Sequence, residues 1–78
     1  MKEILEYIAR NLVEDPDAVD VRQVESESDK TVVLELRVAP DDMGKVIGKR
    51  GRIARAIRSV MRAAGIREGL TTVIEIVD

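Results

Sequence analysis

The chain has 78 residues, no Cys and no His, and its net charge of −2 reflects thirteen Lys and Arg against fifteen Asp and Glu. That length is one domain, burying about 60% of its unfolded surface with no disulfide to staple it, and the missing residue types exclude thiolate zinc sites, catalytic triads and imidazole acid–base chemistry. No apolar run approaches the roughly 20 residues needed to span a bilayer, and the start Met-Lys-Glu-Ile-Leu-Glu lacks the basic flank and apolar core of a signal peptide, so a cytoplasmic protein is expected.

Residues 2–14 read as an amphipathic helix, with Ile4, Leu5, Ile8 and Leu12 on one face. Tyr7, the single aromatic residue, is expected to pack there. Asp15-Pro16-Asp17 ends the helix, because a residue before proline avoids the helical region. Residues 18–26 read as a strand in which Val19 and Val21 alternate with Asp20 and Arg22; the slip at Gln23-Val24 predicts a bulge. Ser26-Glu27-Ser28-Asp29-Lys30 is a polar turn. Residues 31–38 form the clearest strand, with Val32, Leu34, Leu36 and Val38 on one face and Thr31, Glu35 and Arg37 on the other. The two strands are expected to form a hairpin.

Pro40-Asp41-Asp42 opens a short helix, since proline and acids suit a helix start. The two acids read as capping residues rather than metal ligands. Met43, Val46 and Ile47 supply its apolar face and Gly48 stops it. A longer helix covers 52–64, with Ile53, Ile57, Val60, Met61 and Ala64 in one stripe and Arg52, Arg55, Arg58 and Arg62 roughly opposite. Gly65 is its expected C-cap, and residues 70–77 are the last strand. The order is α-β-β-α-α-β. A helical crossover joins the middle and last strands, so as neighbours they run parallel. The expected product is an α+β domain over 1–78, a mixed three-stranded sheet with three helices on one face.

The charges are segregated. Residues 1–42 carry five bases against twelve acids, whereas residues 43–68 carry eight bases against Glu68 alone. A basic block inside an acidic protein is a local patch for an anionic partner, or else a solvated helix face. Within it, Gly48-Lys49-Arg50-Gly51 joins two helices. Glycine adopts backbone angles closed to other residues and lets a ligand approach the main chain. The following helix offers unpaired N–H groups that suit a phosphate. A G-x-x-G clamp of this kind holds about four nucleotides in the KH module.

The segment Asp42-Met43-Gly44-Lys45-Val46-Ile47-Gly48-Lys49-Arg50-Gly51-Arg52-Ile53-Ala54 resembles the signature of the KH family, and the helix-first order resembles its type II, prokaryotic form. The resemblance covers essentially the whole chain and extends to small bacterial proteins made of a single KH domain; Met1 and the end at Asp78 suit a whole protein rather than an excised domain. It implies binding of single-stranded RNA in the cytoplasm and an RNA-chaperone or post-transcriptional role. It also implies pairing with itself or with a larger KH protein. It places Gly48, Lys49, Arg50 and Gly51 at the backbone-binding loop, with the bases Lys45, Arg52 and Arg55 beside it. Val46, Ile47, Ile53 and Ala54, with Leu36 and Val38, fall near the groove floor; Ile47 and Ile53 suit the core as well as a base contact.

With Tyr7 as the only aromatic residue, base stacking worth about 1–3 kcal/mol per base is largely missing. One clamp should therefore bind weakly and with little sequence preference, and a second KH unit would add avidity of about 10²–10⁴. The surface around Met61, Ala64 and Ile66 and the open sheet edge are the two candidate pairing surfaces. No cofactor, metal or catalytic residue is expected. Gly44-Lys45-Val46-Ile47-Gly48-Lys49-Arg50 has a passing likeness to a nucleotide-hydrolase phosphate loop, but it has three residues rather than four between the glycines and lacks the Ser or Thr after Lys. The alternative function is a KH-fold protein-interaction module with RNA contact secondary. The two bases between the glycines argue against it.

Overall fold

Three strands, β1 (Asp20–Val24), β2 (Thr31–Arg37) and β3 (Thr71–Ile76), form one sheet in the order β1-β2-β3. A computed structural model describes residues 1–77. β1 and β2 are an antiparallel hairpin, and β2 and β3 run parallel from Thr31↔Thr71 to Leu36↔Ile76. Leu34 and Leu36 of the central strand point inward and are fully buried. The expected bulge is absent: Gln23 pairs with Leu34 and Val24 with Val33 in an unbroken register. Val24 breaks the inward alternation because it lies in an outward row with Val33 and Val73, across all three strands.

Helix α1 (Lys2–Leu12) ends two residues earlier than expected. Val13 is already extended (ψ 162°), and a 3₁₀ turn at Pro16–Ala18 leads into β1. Leu5 and Ala9 are its fully buried residues. Tyr7 does not pack; it is 72% exposed, because 100° per residue puts it almost opposite Leu5 and Ala9. After β2, a 3₁₀ turn at Pro40–Asp42 precedes the short α2 (Met43–Ile47).

Helix α3 (Arg52–Arg67) runs past Gly65, so Gly65 is not the cap. The cap is Gly69, at φ 73°, where the Leu70 N–H donates to the Gly65 carbonyl (2.8 Å) and the Gly69 N–H to that of Ile66 (3.1 Å). This is the Schellman pattern. Gly65 instead allows contact with β3: a Cβ there would lie 2.7 Å from Thr72 Cγ2 and 2.8 Å from the Leu70 carbonyl oxygen. Ala54, Ile57 and Met61 fill the rest of the helix's buried stripe, while Val60 is half exposed. The 0% exposure of Met61 removes it from any pairing surface.

Asp42 is the one buried charged residue among the described residues. It makes no side-chain cap to its own helix. Its Oδ1 accepts the Glu14 N–H (3.3 Å) and its Oδ2 the Asp15 N–H (3.1 Å), with Lys45 Nζ 3.7 Å from Oδ1. The carboxylate therefore ties the chain leaving α1 to the start of α2. Sequence proximity suggested a cap; the bonded groups are 27 and 28 residues away.

Candidate nucleic-acid interface

The chain between α2 and α3 turns through three positive-φ residues, Gly48 (φ 74°), Arg50 (φ 56°) and Gly51 (φ 72°). Gly48 has ψ 174°, a combination that only glycine adopts readily. A Cβ on it would meet Ile53 Cγ1 at 2.7 Å. Ile53 thus packs over Gly48 as well as against the core, half-buried in both directions. The Gly51 N–H donates to the Gly48 carbonyl (3.1 Å), closing a tight turn that leaves the Lys49 and Arg50 side chains exposed at its tip. Arg50 is left-handed without being glycine, and such strain persists where the surroundings over-determine it. No side chain caps the N-terminus of α3, so its dipole and leading N–H groups face outward beside the two bases.

The basic block is barely neutralised. Lys45 alone is paired among the described residues, lying 3.8 Å from Glu14 Oε1 and 3.7 Å from Asp42 Oδ1, so its ammonium is directed toward the end of α1. Lys49, Arg50, Arg52, Arg55, Arg58, Arg62 and Arg67 form no ion pair among the described residues. Arg52 and Arg55 continue the positive surface from the loop along the first turns of α3, exposed to solvent.

The apolar candidates divide. Val46, Ala54, Leu36 and Val38, expected near the groove floor, are buried in the core. Ile47 is 37% exposed and Ile53 half-buried, both beside Gly48. The inward-facing alternation of β2 already signalled that Leu36 and Val38 belong to the core.

A feature not legible in the sequence is the seam between α3 and β3. β3 is an edge strand. In its parallel ladder the Thr71 N–H donates to Lys30 (2.7 Å) and the Val77 N–H to Leu36 (3.0 Å), so odd-numbered residues face β2. The main-chain groups of Thr72, Ile74 and Ile76 consequently point to the open edge. Arg58 crosses to that edge and donates from Nε to the Ile74 carbonyl (3.2 Å). One side of the seam is therefore the loop and the Arg55–Arg58 flank of α3, and the other is a row of backbone donors and acceptors.

Comparison with known proteins points to one family. The model of the KhpA/KhpB KH domain matches residues 2–76. The chain is 54% identical to the RNA-binding protein KhpA of Clostridium acetobutylicum, over 99% of this chain and 100% of that one. It is 50% identical to the RNA-binding protein KhpA of Aquifex aeolicus, over 100% of this chain and 96% of that one. Among solved structures, Aquifex aeolicus Era Y63A bound to GDP.AlF4- superposes with a TM-score of 0.69 at 22% identity, over 96% of this chain and 28% of that one. Era in complex with MgGDPNP and nucleotides 1506–1542 of 16S ribosomal RNA gives 0.61 at 23% identity over the same shares, a likeness of fold. With a matching family model and close relatives spanning its whole length, the chain belongs to the KhpA/KhpB KH-domain family.

Proposed function

We propose that this protein binds single-stranded RNA as a non-enzymatic module, holding the backbone with Gly48, Lys49, Arg50 and Gly51. The observation that carries the reading is the loop itself: a turn that only glycine at 48 permits, two exposed bases at its tip with no ion pair among the described residues, and an uncapped helix start behind it. The relatives' name, RNA-binding protein KhpA, supports it. Arg52 and Arg55 extend the phosphate track, with Ile47 and Ile53 beside it. Lys45 acts mainly by holding Asp42 and Glu14. Resemblance to the KH family supports an RNA-chaperone or post-transcriptional role in the cytoplasm as part of the same proposal.

The test is a salt titration of binding to a short unstructured RNA. Affinity should fall linearly on logarithmic axes as phosphate contacts release counterions, with a slope of about −0.7 for each phosphate neutralised on a single strand. Arg55→Ala should lower that slope by one contact, and Arg62→Ala, farther along α3, by less. A larger loss at Arg62 than at Lys49 would move the site onto the helix face and favour a duplex ligand.

Pairing belongs to the same proposal, with a second copy of this chain or with a larger KH protein of the KhpB kind. With Met61 buried, the surface that suits it is the open apolar groove between α1 and α3, lined by Ile4, Val60, Ala63 and Ala64 and rimmed by Arg67 and Glu68. The opposite charges on the rim are complementary to those of a second copy related by a two-fold axis. Sedimentation equilibrium should show a concentration-dependent dimer, weakened by Val60→Glu. A strict monomer at about 100 µM, far above the range of specific micromolar contacts, excludes the homodimer.

A further inference from the structure

We infer that the outward ridge of α3 is a second RNA-binding surface that takes the backbone of a duplex, so that the preferred ligand is a hairpin stem carrying a single-stranded tail. The inference rests on the proposed RNA-binding reading and adds the class of RNA to it. Arg52, Arg55, Ser59 and Arg62 recur at steps of three, four and three residues. At 100° per residue they fall within about 80° of one another, on a line roughly opposite the buried stripe of Ala54, Ile57, Met61 and Gly65. All four are exposed, and the three arginines form no ion pair or hydrogen bond among the described residues. One uninterrupted helix carries the line, which spans about 15 Å from Arg52 to Arg62 at about 1.5 Å per residue. No acid lies between residues 43 and 67 of the sequence to neutralise it.

A single strand held by the loop does not cover this ridge. The strand leaves the loop beside the seam between α3 and β3, the side on which Arg58 Nε meets the Ile74 carbonyl at 3.2 Å. The ridge points about a quarter-turn away from that side of the helix. Arg52 and Arg55 join the loop to the ridge, and Ser59 and Arg62 carry it on past a clamp of about four nucleotides. The ridge offers charge and one hydroxyl, and α3 has no aromatic side chain; the only one in the chain, Tyr7, is on α1. An unpaired base arriving there finds nothing to stack on, whereas paired bases keep their own stack. Duplex RNA presents phosphates and 2′-hydroxyls that are recognised by shape rather than sequence. Guanidinium and Ser hydroxyl groups are the donors such contacts use. An acidic protein surface would also match the arginines. The ridge begins at the residue after Gly51, however, so an RNA already on the loop brings its own stem to the ridge at high effective concentration.

Two RNAs of equal length test this, one unstructured and one a hairpin with a single-stranded tail. In the parent protein the tailed hairpin should bind at least about tenfold tighter, a modest share of what two linked sites can gain. Arg62→Gln removes one charge from the ridge. Ser59→Glu places a carboxylate between Arg55 and Arg62, at spacings that pair on a helix, and so occupies both arginines without weakening α3. Each variant should reduce the hairpin advantage to about twofold or less, with thermal melting as a check on folding. Binding of the unstructured RNA should stay within about twofold of the parent. Ser59 and Arg62 lie about 12 and 16 Å along α3 from Gly51, beyond the screening length of about 8 Å at 0.15 M salt. Equal binding of the two RNAs by the parent overturns the inference and leaves the ridge to an acidic protein partner. A full hairpin advantage in both variants overturns it as well. A Lys49→Asp, Arg50→Asp protein that binds the unstructured RNA like the parent would instead overturn the loop reading, so the two failures are distinguishable.

Discussion

Replacing Lys49 and Arg50 together with Asp should abolish binding of single-stranded RNA and leave the far-UV circular dichroism unchanged. The two side chains are exposed and form no ion pair among the described residues, so no folded contact is lost. Arg50 sits at φ 56°, ψ 25°. Asp tolerates that left-handed conformation better than most residues, so the backbone is not strained further. Acids just ahead of α3 also suit its dipole, which keeps stability level. The local charge swings from two positive to two negative beside the α3 N–H groups a phosphate would use. Repulsion replaces attraction, and the new carboxylates compete for the same donors. Filter binding at low salt checks the result. Parent-like affinity in the double variant would place the RNA elsewhere.

The largest stability effect is expected at Asp42. Asp42→Ala should cost about 2–4 kcal/mol, because two backbone N–H groups lose a charged acceptor at a residue only 3% exposed. A chain of this length has roughly 4–12 kcal/mol of total stability, so the loss is a large share. The melting temperature should fall by on the order of 10–20 °C. Lys45 also loses one of its two acidic neighbours. Asp41 is the control: it is exposed and has no bonded partner among the described residues, so Asp41→Ala should change stability by no more than about 0.5 kcal/mol. Equal melting temperatures for the two variants would show that the long-range carboxylate tie contributes nothing. Because Asp42 is separated from the loop by α2, the Asp42→Ala protein that remains folded should still bind RNA.

Much of this molecule is written in local patterns. The period-two apolar alternation of β2 and the helical spacing of Leu5, Ile57 and Met61 are set by side chains a few positions apart, and the fold buries those residues as that spacing demands. Gly48 was legible for the same reason: a helix cannot pass through its backbone angles, so glycine between two amphipathic segments announces a turn. The segregation of bases into residues 43–68 is likewise a property of composition alone.

Contacts between distant segments were decided by the tertiary structure. Gly65 looked like a cap because helix ends and close helix–strand contacts call for the same residue; only the position of Thr72 and Leu70 shows which role it plays. Val24 looked like a register slip until Val33 and Val73 lined up beside it on the open face. Asp42 looked like a helix-start acid, and its partners proved to be backbone groups beyond α1. Arg58 was one of four arginines at similar spacing on α3, and what separates it from the others is the Ile74 carbonyl sixteen residues later. Periodicity reports which face of an element is buried, whereas a hydrogen bond across the fold depends on where two elements meet, and no local pattern carries that.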